Sequence, residues 1–160
     1  MPMVRLIYVS QVTDELDIEG LKEILKIARE KNKEAGVTGV LCYDPKYFMQ
    51  WLEGPRDHVN RIYAAIVKDP RHENITILDY QEVSRRSFEK WSMAYVSSRK
   101  ADQDILFKYS ARPDFNPSSM SAESATGFLN ELAAEKDVLL GQAVSDEDFL
   151  EYPLKRKKGQ

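Results

Sequence analysis

Hydrophobic and polar positions divide the chain into five strand-like runs and four helical runs. The strand-like runs are rich in β-branched and aromatic residues and cover 3–10, 37–43, 47–55, 75–83 and 91–98. The helical runs repeat apolar positions every three or four residues and cover 17–34, 55–69, 103–109 and 121–136. Asp17 suits an N-cap, Gly36 suits a left-handed C-cap, and Pro55 suits the first helical position.

The order of the first seven elements, βαββαββ, predicts an α+β fold. Two βαβ units joined through hairpins are typical of a ferredoxin-like sandwich, here with a five-stranded mixed sheet. Right-handed crossovers place the first two helices on one sheet face. Met49 and Trp51 point to the other face, and the helices after residue 100 are predicted to cover it. The expected organisation is a domain over 1–98, a helical extension over 99–150 and a basic flexible tail over 151–160.

Composition narrows the class of protein. The chain has 160 residues with 42% hydrophobic and 31% charged residues, which is typical of a globular domain. A net charge of −3 gives no general attraction to nucleic acid, and the basic tail at 155–158 is read as a solvated terminus. No run is long enough to span a membrane, and the single cysteine, Cys42, suits a reducing compartment. A cytoplasmic location is therefore expected.

One polar residue interrupts the most apolar strand. Gln50 lies on the same side as Phe48 and Leu52 by the period of two. A buried amide without a hydrogen bond costs about 1–3 kcal/mol. Gln50 therefore either faces solvent or a neighbouring backbone group, or it hydrogen-bonds a buried polar ligand; the strand alone leaves both open.

Sequence motifs of enzymes are missing. The glycines match neither a dinucleotide-binding loop nor a P-loop, and there is no nucleophile elbow, C-x-x-C or H-E-x-x-H. His58 and His72 lack the company of ligand-type residues that a metal site needs. No enzymatic activity and no metal are expected.

Six motifs in order along the chain resemble the BLUF domain, the blue-light sensor that uses FAD. They are Arg5–Ser10, Ala28-Arg29 with Asn32, Gly36–Leu41, Phe48–Gly54, Asp69–His72, and Phe88 with Trp91–Met93. Each motif is weak alone, but together they keep the family's spacing from about residue 3 to 98. The resemblance implies the same ferredoxin-like fold, with the isoalloxazine ring of FAD held between the two helices, over the sheet.

The resemblance also implies roles for individual residues. Tyr8 and Gln50 would be the photoactive pair, and Trp91 and Met93 the switching pair on the fifth strand. Asn32 would bond the polar edge of the flavin, with Lys31 nearby, and Arg29 would assist near the phosphate part. The residues that would line the ring are Ile24, Leu25, Phe48, Leu52 and Ile66. Those expected near the ribityl and phosphate part are Asp69, Arg71 and His72.

In the mechanism that the resemblance implies, excited flavin takes an electron and a proton from Tyr8. Gln50 then rotates or changes tautomer, and a new hydrogen bond to the flavin produces a small red shift. If the first strand lies between the third and fifth, Tyr8, Gln50 and Met93 meet on one sheet face. The output would pass through the fifth strand and the C-terminal helices to a downstream protein partner.

The chain is expected to be a short stand-alone sensor that self-associates, at least as a dimer. A ferredoxin-like interaction or ligand-binding module without photoactivity is the alternative. An acylphosphatase-like enzyme ranks last, because residues 10–13 offer no arginine-containing anion loop after the first strand.

Overall fold

A computed structural model of the chain describes residues 2–88, 94–97, 103–111 and 115–135. The strands are β1 (Met3–Val12), β2 (Thr38–Tyr43), β3 (Tyr47–Pro55), β4 (His72–Val83) and β5 (Ala94–Ser97). The helices are α1 (Ile18–Ala35), α2 (Arg56–Val67), α3 (Gln103–Tyr109) and α4 (Ala122–Glu135). A short 3₁₀ helix at Pro117–Ser119 lies between the last two.

The strands form one sheet in the order β4-β1-β3-β2-β5. The four strands from β4 to β2 are antiparallel to their neighbours, and the short β5 pairs parallel with the outer edge of β2. The β2–β3 hairpin turns at Asp44, whose Oδ1 accepts hydrogen bonds from the backbone N–H groups of Lys46 and Tyr47, both at 2.8 Å. The predicted α+β class and the hairpin are confirmed.

Helix α1 has the two ends that the sequence indicates. Asp17 is the N-cap, and its side chain accepts a hydrogen bond from the backbone N–H of Gly20 at 2.6 Å. Gly36 closes the helix with φ of 69°, a left-handed conformation that favours glycine, and its N–H bonds the last turn. Both caps were predicted from residue type and position alone.

The sheet separates two hydrophobic cores. One core joins α1 and α2 to inward positions of β1 to β3, including Leu6, Tyr8 and Phe48. The other core joins α3 and α4 to the opposite face, where Met49 and Trp51 are fully buried. The prediction that the C-terminal helices cover this second face is confirmed, and the helix residues that pack there are Ala125, Phe128, Leu129 and Leu132.

Three local predictions were wrong. The expected position of β1 between the third and fifth strands does not occur, because β3 and β4 occupy both edges of β1 and leave β5 the outer edge of β2. Pro55 is the N-cap of α2 rather than its first helical residue, since α2 begins at Arg56. His72 begins β4 instead of lying in the preceding connection, because its backbone pairs with Val12 of β1.

Two further statements concern only the described part of the chain. None of its helices is both long and apolar enough to cross a lipid bilayer. Its histidine, cysteine and acidic side chains form no group of three or more that could hold a metal ion.

Candidate functional site

A cavity lies between α1, α2 and the face of the sheet that these helices cover. It encloses about 860 Å³ of empty space, part of which is open to solvent. Its walls are mainly apolar side chains of the two helices, and its floor is formed by the central strands.

Tyr8 and Gln50 form the floor of the cavity as a hydrogen-bonded pair. They are direct partners in the β1–β3 register, so their side chains rise side by side from the same sheet face. The Tyr8 hydroxyl donates to Gln50 Oε1 at 2.5 Å, and both side chains are buried, at 3% and 4% exposure. This arrangement answers the question about Gln50: its amide is buried and hydrogen-bonded to Tyr8 on the floor of the cavity.

Burial fixes the protonation state of Tyr8. Desolvation, followed by the nearby Tyr63 and Asp69, raises the pKa of Tyr8 far above its ordinary value. The phenol therefore keeps its proton throughout the physiological pH range and remains the donor. Because a glutamine amide carries both an acceptor oxygen and a donor NH₂, a rotation of Gln50 would exchange which of them faces Tyr8 without creating any charge.

An ion pair between Arg71 and Asp69, which we call the clasp, lies at one end of the cavity. The Arg71 guanidinium donates from Nε to Asp69 Oδ1 at 2.9 Å and from Nη2 to Oδ2 at 2.7 Å, and its Nη1 bonds the Gly20 carbonyl at 3.2 Å. Burial alone would raise the pKa of Asp69, but the hydrogen bonds and charge of Arg71 outweigh it and lower that pKa. The same bond to Asp69 raises the pKa of Arg71. Both groups are therefore charged around neutral pH.

His72 fixes the wall beside Tyr8. Its Nε2 bonds the Ile66 carbonyl at 2.7 Å, and since a carbonyl can only accept, Nε2 carries the proton. Its Nδ1 lies 2.7 Å from the buried Ser10 hydroxyl, which donates to it when the ring is neutral. The ring meets Tyr8 and Phe48 edge-on, with centroids 6.2 and 5.9 Å apart. Hydrogen bonds at both nitrogens therefore hold α2, β1 and β4 in register around the cavity.

The structure brings most of the sequence-predicted site residues to this cavity. Those on its lining are Tyr8, Ile24, Lys31, Asn32, Phe48, Gln50, Ile66, Asp69, Arg71 and His72. Asn32 is buried at 2% exposure, whereas Lys31 is exposed at the rim.

Other predicted residues are placed elsewhere. Leu25 and Leu52 are buried in the core between the helices and the sheet and do not line the cavity. Arg29 is half-buried on α1 and is also outside the lining. Trp91 and Met93 lie outside the described residues.

Five lining residues were missed by the sequence reasoning: Ile27, Ala28, Leu41, Ile62 and Ala65. Helical spacing from predicted residues could have found three of them, since Ile27 and Ala28 lie three and four residues after Ile24, and Ile62 lies four residues before Ile66. Leu41 could not have been found from the predicted turn at 44–46, which would pair it with Met49, whereas the observed pairing of Tyr43 with Phe48 places Leu41 opposite Gln50.

Comparison with known proteins identifies the class to which this fold and cavity belong. The profile of the BLUF family, described as sensors of blue-light using FAD, matches residues 3–94. The chain belongs to the BLUF family.

Individual relatives agree with this assignment. The blue light- and temperature-regulated antirepressor BluF of Escherichia coli K12 is 36% identical over 103 residues, which are 64% of this chain but 26% of that protein. The photoactivated adenylate cyclase subunit beta of Euglena gracilis is 34% identical over 111 residues, 65% of this chain and 13% of that protein. The photo-activated state of BlsA is 33% identical and superposes with a TM-score of 0.76, covering 89% of this chain and 99% of that chain. The chain thus spans about a quarter or less of the two curated relatives.

The cavity has the chemistry that FAD, the cofactor of this family, requires. A flavin ring has apolar faces and one edge of nitrogen and carbonyl groups. Side chains such as Ile24 and Ile66 offer apolar walls, while the buried amides of Gln50 and Asn32 offer donors and acceptors. The cationic Lys31 at the rim lies next to Asn32 and suits the same polar edge, and the cationic Arg71 suits the phosphate-bearing end. The residues present therefore fit the cofactor.

Proposed function

We propose that this protein detects blue light through the Tyr8–Gln50 hydrogen bond beneath bound FAD and passes the response to a protein partner. Membership of the BLUF family makes it a blue-light sensor that uses FAD. The observation that carries the proposed switch is the 2.5 Å bond from the Tyr8 hydroxyl to Gln50 Oε1 on the floor of the cavity.

The cofactor would be held by residues of the two helices and the sheet. Apolar side chains of α1, α2 and β3 would sandwich the ring, and Asn32 and Gln50 would bond its polar edge. Asp69, Arg71 and His72 would form the end near the ribityl and phosphate groups. Bound FAD supplies absorption of blue light and, once excited, a demand for one electron.

The residues of the chain supply the rest of the switch. Tyr8 is an oxidisable group on the cavity floor, and loss of an electron makes a phenol strongly acidic, so its proton would leave along the bond to Gln50 and would be taken up, with the electron, by the excited cofactor. Gln50 would then rotate, presenting NH₂ where Oε1 had been. The return of the electron and proton to Tyr8 leaves a neutral pair with the opposite hydrogen-bond direction. The protein is unchanged chemically and differs only in hydrogen bonding.

The partner and assembly are proposed by analogy with relatives. One relative is named as an antirepressor and another as a cyclase subunit, and in both the matched part is a fraction of a longer protein. We propose that the BLUF domain of this chain has no catalytic activity of its own, that it acts on a protein partner, and that it self-associates at least as a dimer. The helices α3 and α4, which pack on the reverse sheet face, would carry the signal outward. The boundaries at 98 and 150 and a cytoplasmic location remain predictions from the sequence.

An absorption spectrum of the purified protein before and after blue light tests the proposal. The expected result is a flavin spectrum whose main band moves slightly to longer wavelength and returns in the dark. A flavin spectrum that bleaches, or stays in place, would retain the binding site but refute the Tyr8–Gln50 switch. A colourless protein that also fails to bind added FAD would favour the non-photoactive interaction module instead.

A further inference from the structure

Glu53 is a carboxyl group buried inside the reverse face of the sheet, at 1% exposure. It lies two residues after Trp51 on β3, so both side chains point away from the cavity, whereas Gln50, which directly precedes Trp51, points into it. A buried carboxylate is tolerated only where hydrogen bonds replace its water. The groups that bond Glu53 are therefore held firmly in place.

The two carboxylate oxygens of Glu53 hold two different segments. Oε2 accepts from the indole Nε1–H of Trp51 at 3.1 Å, and Oε1 accepts from the backbone N–H of Phe88 at 2.6 Å. The Phe88 ring also meets the Trp51 ring edge-on, at 4.8 Å between centroids and 79° between planes. Trp51, Glu53 and Phe88 thus form a closed triangle, which we call the Glu53 junction.

Arg86 also binds the segment around Phe88 to the sheet. Its Nη1 donates to the Glu53 carbonyl at 3.1 Å and to the Thr38 hydroxyl at 3.0 Å, and its Nη2 donates to the Gly36 carbonyl at 2.6 Å. Residues 86–88 are therefore bound to the end of β3 and to the start of β2. Residues 86–88 cannot move without disturbing these bonds.

Arg5 holds the junction from its other side. It is the cross-strand partner of Glu53 in the β1–β3 register, and its guanidinium lies 5.1 Å from the centroid of the Trp51 ring. Its Nε donates to Asp79 Oδ2 of β4 at 2.8 Å. The indole is thus confined between a cation and the Phe88 ring, so a displacement of the Trp51 backbone is passed on to its neighbours.

The junction stands between the switch and the C-terminal part of the chain. Trp51 follows Gln50 directly, so any change in Gln50 that shifts the β3 backbone reaches the indole within one residue. Phe88 directly precedes residues 89–93, which lead to β5 at Ala94. A carboxylate can accept hydrogen bonds on both oxygens at once, whereas a carboxamide has only one acceptor oxygen.

We propose that Glu53 is a positioning residue of the light response, coupling β3 to the segment between β4 and β5 by accepting from Trp51 Nε1–H and Phe88 N–H together. The inference rests on the proposed function, because it assigns the route by which the Tyr8–Gln50 switch reaches the chain beyond residue 88. Glu53 does not touch the cavity, so it would act only through Trp51 and Phe88.

The test is NMR of the ¹⁵N-labelled, FAD-loaded protein in the dark and under blue light. In the wild type, the Trp51 indole N–H and the Phe88 amide N–H resonances are expected to shift together on illumination. In Glu53→Gln, the amide oxygen can accept from only one of the two donors, and its NH₂ group faces the other N–H donor without forming a hydrogen bond. The light-induced shift at Phe88 should therefore fall to about half or less. The visible flavin band should still shift fully, because Tyr8 and Gln50 are unchanged.

A second variant and a matched control keep the result clear. Trp51→Phe keeps an aromatic ring but removes Nε1–H, and it should also reduce the light-induced shift at Phe88. It therefore provides the test should Glu53→Gln fold poorly. Glu131→Gln removes a carboxylate that bonds Tyr109 and Lys108 on the C-terminal helices, and the Phe88 response should stay at its wild-type size.

The outcomes separate the two proposals. If the wild-type flavin band shifts but Phe88 responds equally in wild type and both junction variants, Glu53 has only a structural role and the inference is overturned. If the wild-type flavin band does not shift at all, the proposed function fails and the inference fails with it. Loss of the Phe88 shift in the junction variants, with the band shift and the control intact, would support the coupling.

Discussion

Removing a single oxygen at Tyr8 tests the switch most directly. In Tyr8→Phe the ring remains in the core, but Gln50 Oε1 loses the donor that lies 2.5 Å away. Both side chains are at most 4% exposed, so water cannot readily replace the missing bond. Losing one buried hydrogen bond costs about 0.5–1.5 kcal/mol. For a chain of this size each kcal/mol lowers the melting temperature by about 2–4 °C.

Two assays separate the optical and structural effects of this change. Thermal unfolding of the FAD-free protein should show a loss of stability of that size. The FAD-loaded variant should retain a flavin spectrum, since the apolar walls are intact, but should show no reversible red shift under blue light. Tyr63→Phe is the matched control, because its ring centroid lies 5.8 Å from that of Tyr8 while its hydroxyl is outside the hydrogen-bonded pair. A normal photocycle in Tyr8→Phe would refute the role of the tyrosine.

Three further predictions follow from the same structure. Gln50→Leu should retain flavin and lose the red shift, because leucine can neither accept from Tyr8 nor donate; a normal shift would contradict the amide's role. Gly39→Ala should cost about 3 kcal/mol or more in urea unfolding, since the added Cβ would lie 1.8 Å from the Trp51 carbonyl oxygen and push β2 from β3; an unchanged midpoint would contradict this packing. The lowered pKa of Asp69 stabilises the fold above the ordinary carboxyl pKa of about 3.9, and this contribution is lost as pH falls through the lower, folded value. Asp69→Asn should therefore be less stable than wild type at pH 6, with the difference shrinking towards pH 2; a constant difference would count against the clasp.

Local patterns predicted the secondary elements well where capping or turn residues mark their ends. Asp17 and Gly36 bracket α1 because a side-chain cap and a left-handed glycine act within one turn of the helix. The hairpin around Asp44 was likewise visible, although its observed register, which places Leu41 beside Gln50, differs from that of the predicted turn. Predictions that depended on distant contacts were less accurate. His72 extends β4 because β1 offers Val12 as a partner, which no neighbouring residue reveals.

The cavity was predicted in outline from the resemblance and was corrected by packing. Ile24 and Leu25 are adjacent on α1, yet only Ile24 lines the cavity. The difference is one of angle around the helix, about 100° per residue, which carries Leu25 toward the sheet core at 1% exposure. The resemblance indicates both residues as lining the flavin ring, whereas the orientation of the helix decides which of them faces the cavity.

The sequence by itself determined the class of fold, the identity of the family and the polar pair at the heart of the site. It did so because strand periodicity, helix caps and short motifs are local properties of the chain. Tertiary structure alone decided the strand order, the side of β2 that β5 occupies and the enclosure of Glu53 by Trp51 and Phe88. Those features depend on contacts between residues tens of positions apart in the chain. The free edges of the sheet decide which strands pair, and the space left by larger side chains decides which residues pack together.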